Sequence, residues 1–263
     1  MKTHTKQFVL IFALIAMVTV SCKKDATSPT PYPEPAPANG IAMLHLHTNV
    51  DSNEVANYDT IYVMSGGRKI SVSIAQLYLS NMQLVKADGS LFDISGFIIA
   101  KTQQEEAYML GSVPVGNYKS IRFNVGLSPA SNALLPEPSD STFYKPNMWF
   151  GNTVQPWNGY VFVNFQGKID TTSAANGTIA GMQPFLYRIG TDAHLKSVSM
   201  PDQNYTISSG QTQYIHIMID YGKLFNGIAL NSSGNLNVTT PGDNSGVLSN
   251  QIANNIPSMF IYQ

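Results

Sequence analysis

Apolar residues recur at every second position through most of this chain, and that period decides what it can fold into. Side chains alternate between two faces along a β-strand, so a period of two describes a strand with one face buried. Residues 69–74 (KISVSI) alternate strictly. The same period runs through 42–47 (AMLHLH), 76–86 (QLYLSNMQLVK), 118–127 (YKSIRFNVGL), 159–165 (GYVFVNF), 191–200 and 213–221 (QYIHIMIDY). Residues 60–64 (TIYVM) are β-branched and aromatic, and Gly66-Gly67 then joins them to 69–74 as a hairpin. Ala87-Asp88-Gly89 is a further turn signal. Helical signal is confined to single turns near 128–135 and 250–255, and no internal repeat occurs. Short strands punctuated by Gly, Pro, Asn and Asp predict an all-β fold. The expected form is an antiparallel β-sandwich, immunoglobulin-like or jelly-roll-like, with long loops and little helix. The stretch 128–155 interrupts the pattern, and loops of that length are often functional.

The N-terminus follows different rules. Lys2 and Lys6 precede an unbroken apolar run, residues 8–20 (FVLIFALIAMVTV). At about 13 residues this run is shorter than the roughly 20 that span a bilayer, and it fits the apolar region of a signal peptide. Thr19-Val20-Ser21-Cys22 then has the pattern of a lipobox, and Cys22 is the only cysteine in the chain. Cys22 is therefore expected to carry lipid. The plainer alternative is an ordinary secretory peptide with a chance cysteine. Residues 23–39 (KKDATSPTPYPEPAPAN) lack large aliphatics and cannot bury enough apolar surface to offset their chain entropy. The expected organisation is a signal peptide at 1–21, the lipidated cysteine and a Pro-rich disordered tether at 22–39, and one folded domain at 40–263. That places the protein in the cell envelope, held to a membrane by its N-terminal lipid. Lys23 after the cysteine is compatible with outer-membrane sorting, on the periplasmic or surface face.

Charge excludes one class of partner. The net charge of −1 becomes −3 once Lys2 and Lys6 are removed with the leader (−1 − 2), and only 12% of residues are charged. No basic patch favours nucleic acid. Catalytic signatures are missing too: GxSxG, HExxH, GxxxxGK[ST] and GxGxxG do not occur. Glu105-Glu106 are adjacent, so on a strand they face opposite ways and make a poor acid–base pair. The expectation is a non-catalytic protein.

Several segments, taken in order, carry a family resemblance. Tyr78-Leu79-Ser80-Asn81 with Leu84 resembles a Y-[IL]-S-[ND]-x-x-L strand. Val113-Pro114-Val115-Gly116-Asn117-Tyr118, running on through Ile121, Phe123 and Gly126, resembles a VPxGxYxxIxFxxG hairpin. Met148-Trp149, then Trp157-Asn158-Gly159-Tyr160-Val161-Phe162 and Gln166-Gly167, is similar to MxWxWxxGYxFxxxEG. Asp220 to Phe225 resembles a late DxxKLF. Over roughly 41–225 the chain resembles the MbnP-like domain family of exported, often lipid-anchored β-sandwich proteins, many from Bacteroidetes-type bacteria. The resemblance implies copper binding through histidines. It also implies a nearby tryptophan oxidised to kynurenine by a dihaem peroxidase-like partner.

Copper(I) prefers imidazole and soft sulfur. Of five histidines, His4 falls in the leader. His45 and His47 lie two apart on one strand, so both project from one face, and His47 is the better match to the family's early histidine. His216 shares its face with Tyr214, Met218 and Asp220, and His194 falls in a turn. A copper site would draw on His45, His47, His216 and Met148. The family's FxxHxG is represented by Phe185 to Gly190, but its histidine is Arg188 here, and a guanidinium cannot ligate a metal. The plainer readings are a half-exposed pair at His45 and His47, a hydrogen-bonded His216, an ordinary ion-pairing Arg188 and packing roles for Trp149 and Trp157. A different function is open as well: a surface module that binds glycan or protein through Trp149, Trp157 and neighbouring tyrosines.

Overall fold

The computed structural model describes residues 38–263 apart from 97, 104–106, 152–157, 174 and 176–178. Cys22, the tether through residue 37 and Trp157 lie outside the described residues. The segment Pro37–Gln263 is one compact unit.

The period-two stretches form its strands. They are β1 (Asn39–Val50), β2 (Asn53–Glu54), β3 (Ile61–Val63), β4 (Lys69–Lys86), β5 (Leu91–Asp93), β6 (Ile99–Lys101), β7 (Ala107–Pro114) and β8 (Gly116–Val125). There follow β9 (Val161–Asp170), β10 (Met182–Gly190), β11 (Lys196–Ser199), β12 (Tyr205–Ile207), β13 (Thr212–Asp220), β14 (Asn237–Val238) and β15 (Phe260–Tyr262). They build two sheets. The smaller runs β15-β13-β1-β2, with β7 also along β1. The larger runs β11-β8-β4-β9-β10-β14, with β12 along β8 and β3, β5 and β6 along β4.

One core lies between the sheets. The smaller sheet contributes Leu44 and Leu46 from β1 and Ile215, Ile217 and Ile219 from β13. Leu77, Leu79, Phe165, Phe185 and Tyr187 meet them from the larger sheet. Each of these is at most 2% exposed, and a fully buried side chain of this size contributes about 1.5–3 kcal/mol. The fold is therefore the expected all-β sandwich-like architecture, amended by two parallel pairs, the short one between β10 and β14 and a long one. Strand β1 pairs β13 in parallel, from Ile41 with Thr212 to Asn49 with Asp220. A parallel pair needs a long crossover, and here most of the domain separates the two strands.

The motifs behind the resemblance hold this frame. The Tyr118 hydroxyl donates to Pro114 O at 2.9 Å, closing the turn between β7 and β8. Asn81 sits at φ 50, where the register between β4 and β8 shifts; asparagine tolerates that left-handed conformation. Gly167 is required by crowding, since a Cβ there would lie 1.9 Å from Ser71 O on the neighbouring strand. Asp220 Oδ1 accepts from the backbone N–H of Asp51 at 2.6 Å and of Gly222 at 2.9 Å. It ties the end of β13 to the turn that follows β1.

Helix is sparse. The four-residue α1 (Pro129–Asn132) begins at Ser128, whose Oγ accepts from Ser131 N at 3.2 Å. The nine-residue α2 (Val247–Asn255) is longer than the single turn expected, and it buries Ser249, Ile252 and Ala253. Its polar Asn-rich sequence carries little helical period. Among the described residues, no helix is long and apolar enough to cross a membrane.

Candidate metal site

Leu44 and Leu46 turn inward on β1, so His45 and His47 must turn outward. On β13 the inward residues are Ile215 and Ile217, and His216 faces out between them. The parallel register then sets His45 directly beside His216. The result is a cluster of three imidazoles. Ring centroids are 4.3 Å apart for His45 and His47, 4.9 Å for His45 and His216, and 6.2 Å for His47 and His216. The Nδ1 atoms of His45 and His216 are 3.1 Å apart. One nitrogen from each ring lies within 4.8 Å of the other two.

That spacing suits an ion. Nitrogen ligands at about 2.0–2.1 Å from a four-coordinate metal lie roughly 3.3–3.4 Å from one another, so small side-chain rotations would gather all three. His47 supplies a second observation. Both of its ring nitrogens are buried and have no hydrogen-bond partner among the described residues. Glu54 Oε1 is 3.6 Å from His47 Nδ1, beyond hydrogen-bond range. Buried polar atoms are normally paired, so an imidazole with two unpaired nitrogens beside two others has the chemistry of an open ligand set.

The other candidate residues lie elsewhere. Met148 is 1% exposed and packs in a second cluster with Tyr78, Leu127, Tyr160 and Phe162 on the larger sheet. It does not join the histidines there, because an apolar thioether gains more from burial in that cluster. Trp149 bridges to Tyr160 and packs against the same cluster, its ring 5.6 Å from that of Tyr144. Arg188 donates to Trp149 O and, at 3.4 Å, to Thr239 O, and its guanidinium lies 5.2 Å from the Phe150 ring centroid. Burial lowers its pKa from the usual arginine range. It anchors the segment carrying Trp149 to β10. His194 is buried, with Nδ1 2.8 Å from Gly190 O and Nε2 3.1 Å from Asn250 Oδ1, a structural histidine. Glu54 was not legible as a neighbour of the site. Its signal was the two-residue turn Asp51-Ser52, which folds β2 back along β1.

A β-sandwich with a histidine cluster on the outer face of one sheet is the class that fold and site define. The MbnP family model matches residues 40–241, and the chain belongs to that family. No curated protein matches it in sequence. Among solved structures it is similar to MbnP from Methylosinus trichosporium, at 15% identity and a TM-score of 0.47, over 72% of this chain and 78% of that one.

Proposed function

We propose that this chain is a lipid-anchored, non-catalytic MbnP-family domain that binds copper through His45, His47 and His216. The observation that carries the reading is the convergence of three imidazoles, one with both nitrogens buried and unpartnered. Imidazole suits copper well, and copper is what the family resemblance implies. The residues present fit that metal. His216, reached through the parallel β1–β13 register, supplies an imidazole in a chain whose FxxHxG position holds Arg188. Bound copper would bring affinity for soft ligands and one-electron redox capacity. The chain's own part is to hold three imidazole rings together on a rigid two-strand platform. Cys22 would carry the lipid and residues 23–39 the reach from an outer membrane. Trp149 is the described candidate for oxidation by a dihaem peroxidase-like partner.

The test is metal analysis of protein expressed from residue 23 onward, beside a variant with His45, His47 and His216 all changed to Ala. Close to one copper per wild-type chain and none in the variant supports the reading. Equal copper in both, or none in either, refutes it. Membrane fractionation of full-length Cys22→Ser tests the anchor, and release of the protein from the membrane is expected. The paired rings of Trp149 and Tyr144 favour a second reading, a surface platform for glycan or protein. Trp149→Ala binding a glycan array as wild type does would refute that alternative.

A further inference from the structure

The outer face of the smaller sheet holds more than histidines. Across β7, β1 and β13 the register sets Met109 beside Met43 and Met43 beside Tyr214. The next row outward is Ala107, His45 and His216, and the next sets His47 beside Met218, with Ile261 of β15 beyond. His45 and His216 thus lie between Met43 and Met109 on one side and Met218, beside His47, on the other. Same-face neighbours along a strand are about 7 Å apart and adjacent strands about 4.8 Å apart, so these thioethers border the imidazoles.

Their placement needs explaining. The chain has eleven methionines, of which Met1 and Met17 precede the described residues. Of the other nine, Met64, Met82, Met148, Met182, Met200 and Met259 are buried or packed against the core. The usual role of methionine as core filler accounts for those six. Met43, Met109 and Met218 do neither, and all three fall on the histidine face. Met109 is 60% exposed. Ile41, Tyr214 and Ile261 on this face are also exposed, and Glu54 lies at its edge, 3.6 Å from His47.

We infer that this face is a site for a soft monovalent metal, Cu(I) or Ag(I), in which one or two thioethers from Met43, Met109 and Met218 complete the coordination begun by the imidazoles. The inference rests on the histidine reading above and adds to it the oxidation state and the sulfur ligands. Thioether sulfur binds monovalent copper and silver well and contributes little to zinc. The methionines therefore set which metal is held, and the imidazoles set that one is held at all.

The experiment compares wild type with the variant M43L/M109L/M218L, using Ag(I), Cu(I) and Zn(II) as the probes. Leucine keeps the apolar surface, and unchanged melting of the metal-free variant checks that it folds. Ag(I) affinity should fall by about tenfold or more while Zn(II) affinity stays within about twofold. X-ray absorption of the Cu(I) form should show sulfur scattering in wild type and nitrogen alone in the variant. Equal loss for Ag(I) and Zn(II), no loss for either, or a sulfur-free wild-type spectrum overturns the inference while leaving the histidine site standing. Failure of wild type to bind any of the three metals overturns the histidine reading and this one together.

Discussion

The two nitrogens of His47 make a thermodynamic prediction that separates a ligand from a packing residue. A buried polar group left without a partner costs about 1–3 kcal/mol. The His47 side chain keeps 13% of its exposure, and Glu54 is 3.6 Å away, so the lower part of that range applies. Replacing the imidazole by Leu removes both polar atoms and keeps most of the volume. The metal-free His47→Leu protein should therefore be more stable than wild type by about 1–2 kcal/mol. For a domain of this size each kcal/mol moves the melting temperature by about 2–4 °C, which gives a rise of roughly 2–8 °C. Differential scanning calorimetry in a chelator measures it. Adding Ag(I) at about 100 times its dissociation constant should then stabilise wild type by about 2.7 kcal/mol, and shift the variant much less. A metal-free His47→Leu protein that melts at or below wild type refutes the reasoning, because the nitrogens would then have native partners worth more than their burial costs.

Three further predictions concern the frame. Gly167→Ala drives a Cβ against Ser71 O and should cost about 3 kcal/mol, the upper end for overpacking because the neighbour is backbone; Gly234→Ala, whose Cβ meets only Ser232 Oγ at 3.9 Å, should melt as wild type does. Burial raises the Asp220 pKa above the usual carboxylate range, so its contribution is fully present below the unfolded pKa near 4 and is lost as pH rises through the folded value. Asp220→Asn keeps the acceptor for Asp51 and Gly222 and should equal or exceed wild-type stability at pH 8 in urea titrations, the advantage vanishing below about pH 4. Asp243 behaves oppositely. Backbone and hydroxyl hydrogen bonds from Thr239 and Thr240 hold its pKa down at about 2, so its stabilisation is present above about pH 4 and is lost as pH falls towards 2. The stability gap between wild type and Asp243→Asn should be constant near neutrality and close in acid.

The strands were legible because alternation is a local property: KISVSI and QYIHIMIDY state which residues face inward without reference to any partner. The shared face of His45 and His47 was legible for the same reason. Their meeting with His216 was not, because it depends on a parallel register between strands whose paired residues are 171 positions apart. Met148 stood among the candidate copper ligands in sequence, yet its burial in the second cluster assigns it to packing. The methionines on the histidine face carry no motif at all. Met43, Met109 and Met218 become neighbours of the site only once three strands are side by side. Helix α2 was underestimated for a related reason: what buries Ile252 and Ala253 is the tertiary surface beneath them, and the flanking asparagines give no periodic sign of it.

The parallel pairing of β1 with β13 also fixes the order of events in the life of each molecule. Its first long strand waits, unpaired on that side, until one of its last has been made. A chain cut short anywhere before Thr212 has two of the histidines and nowhere to close them, whatever state the rest has reached. With copper bound as proposed, metal uptake would be a check on completeness: the three imidazoles come together only in a molecule whose two distant strands have already found each other.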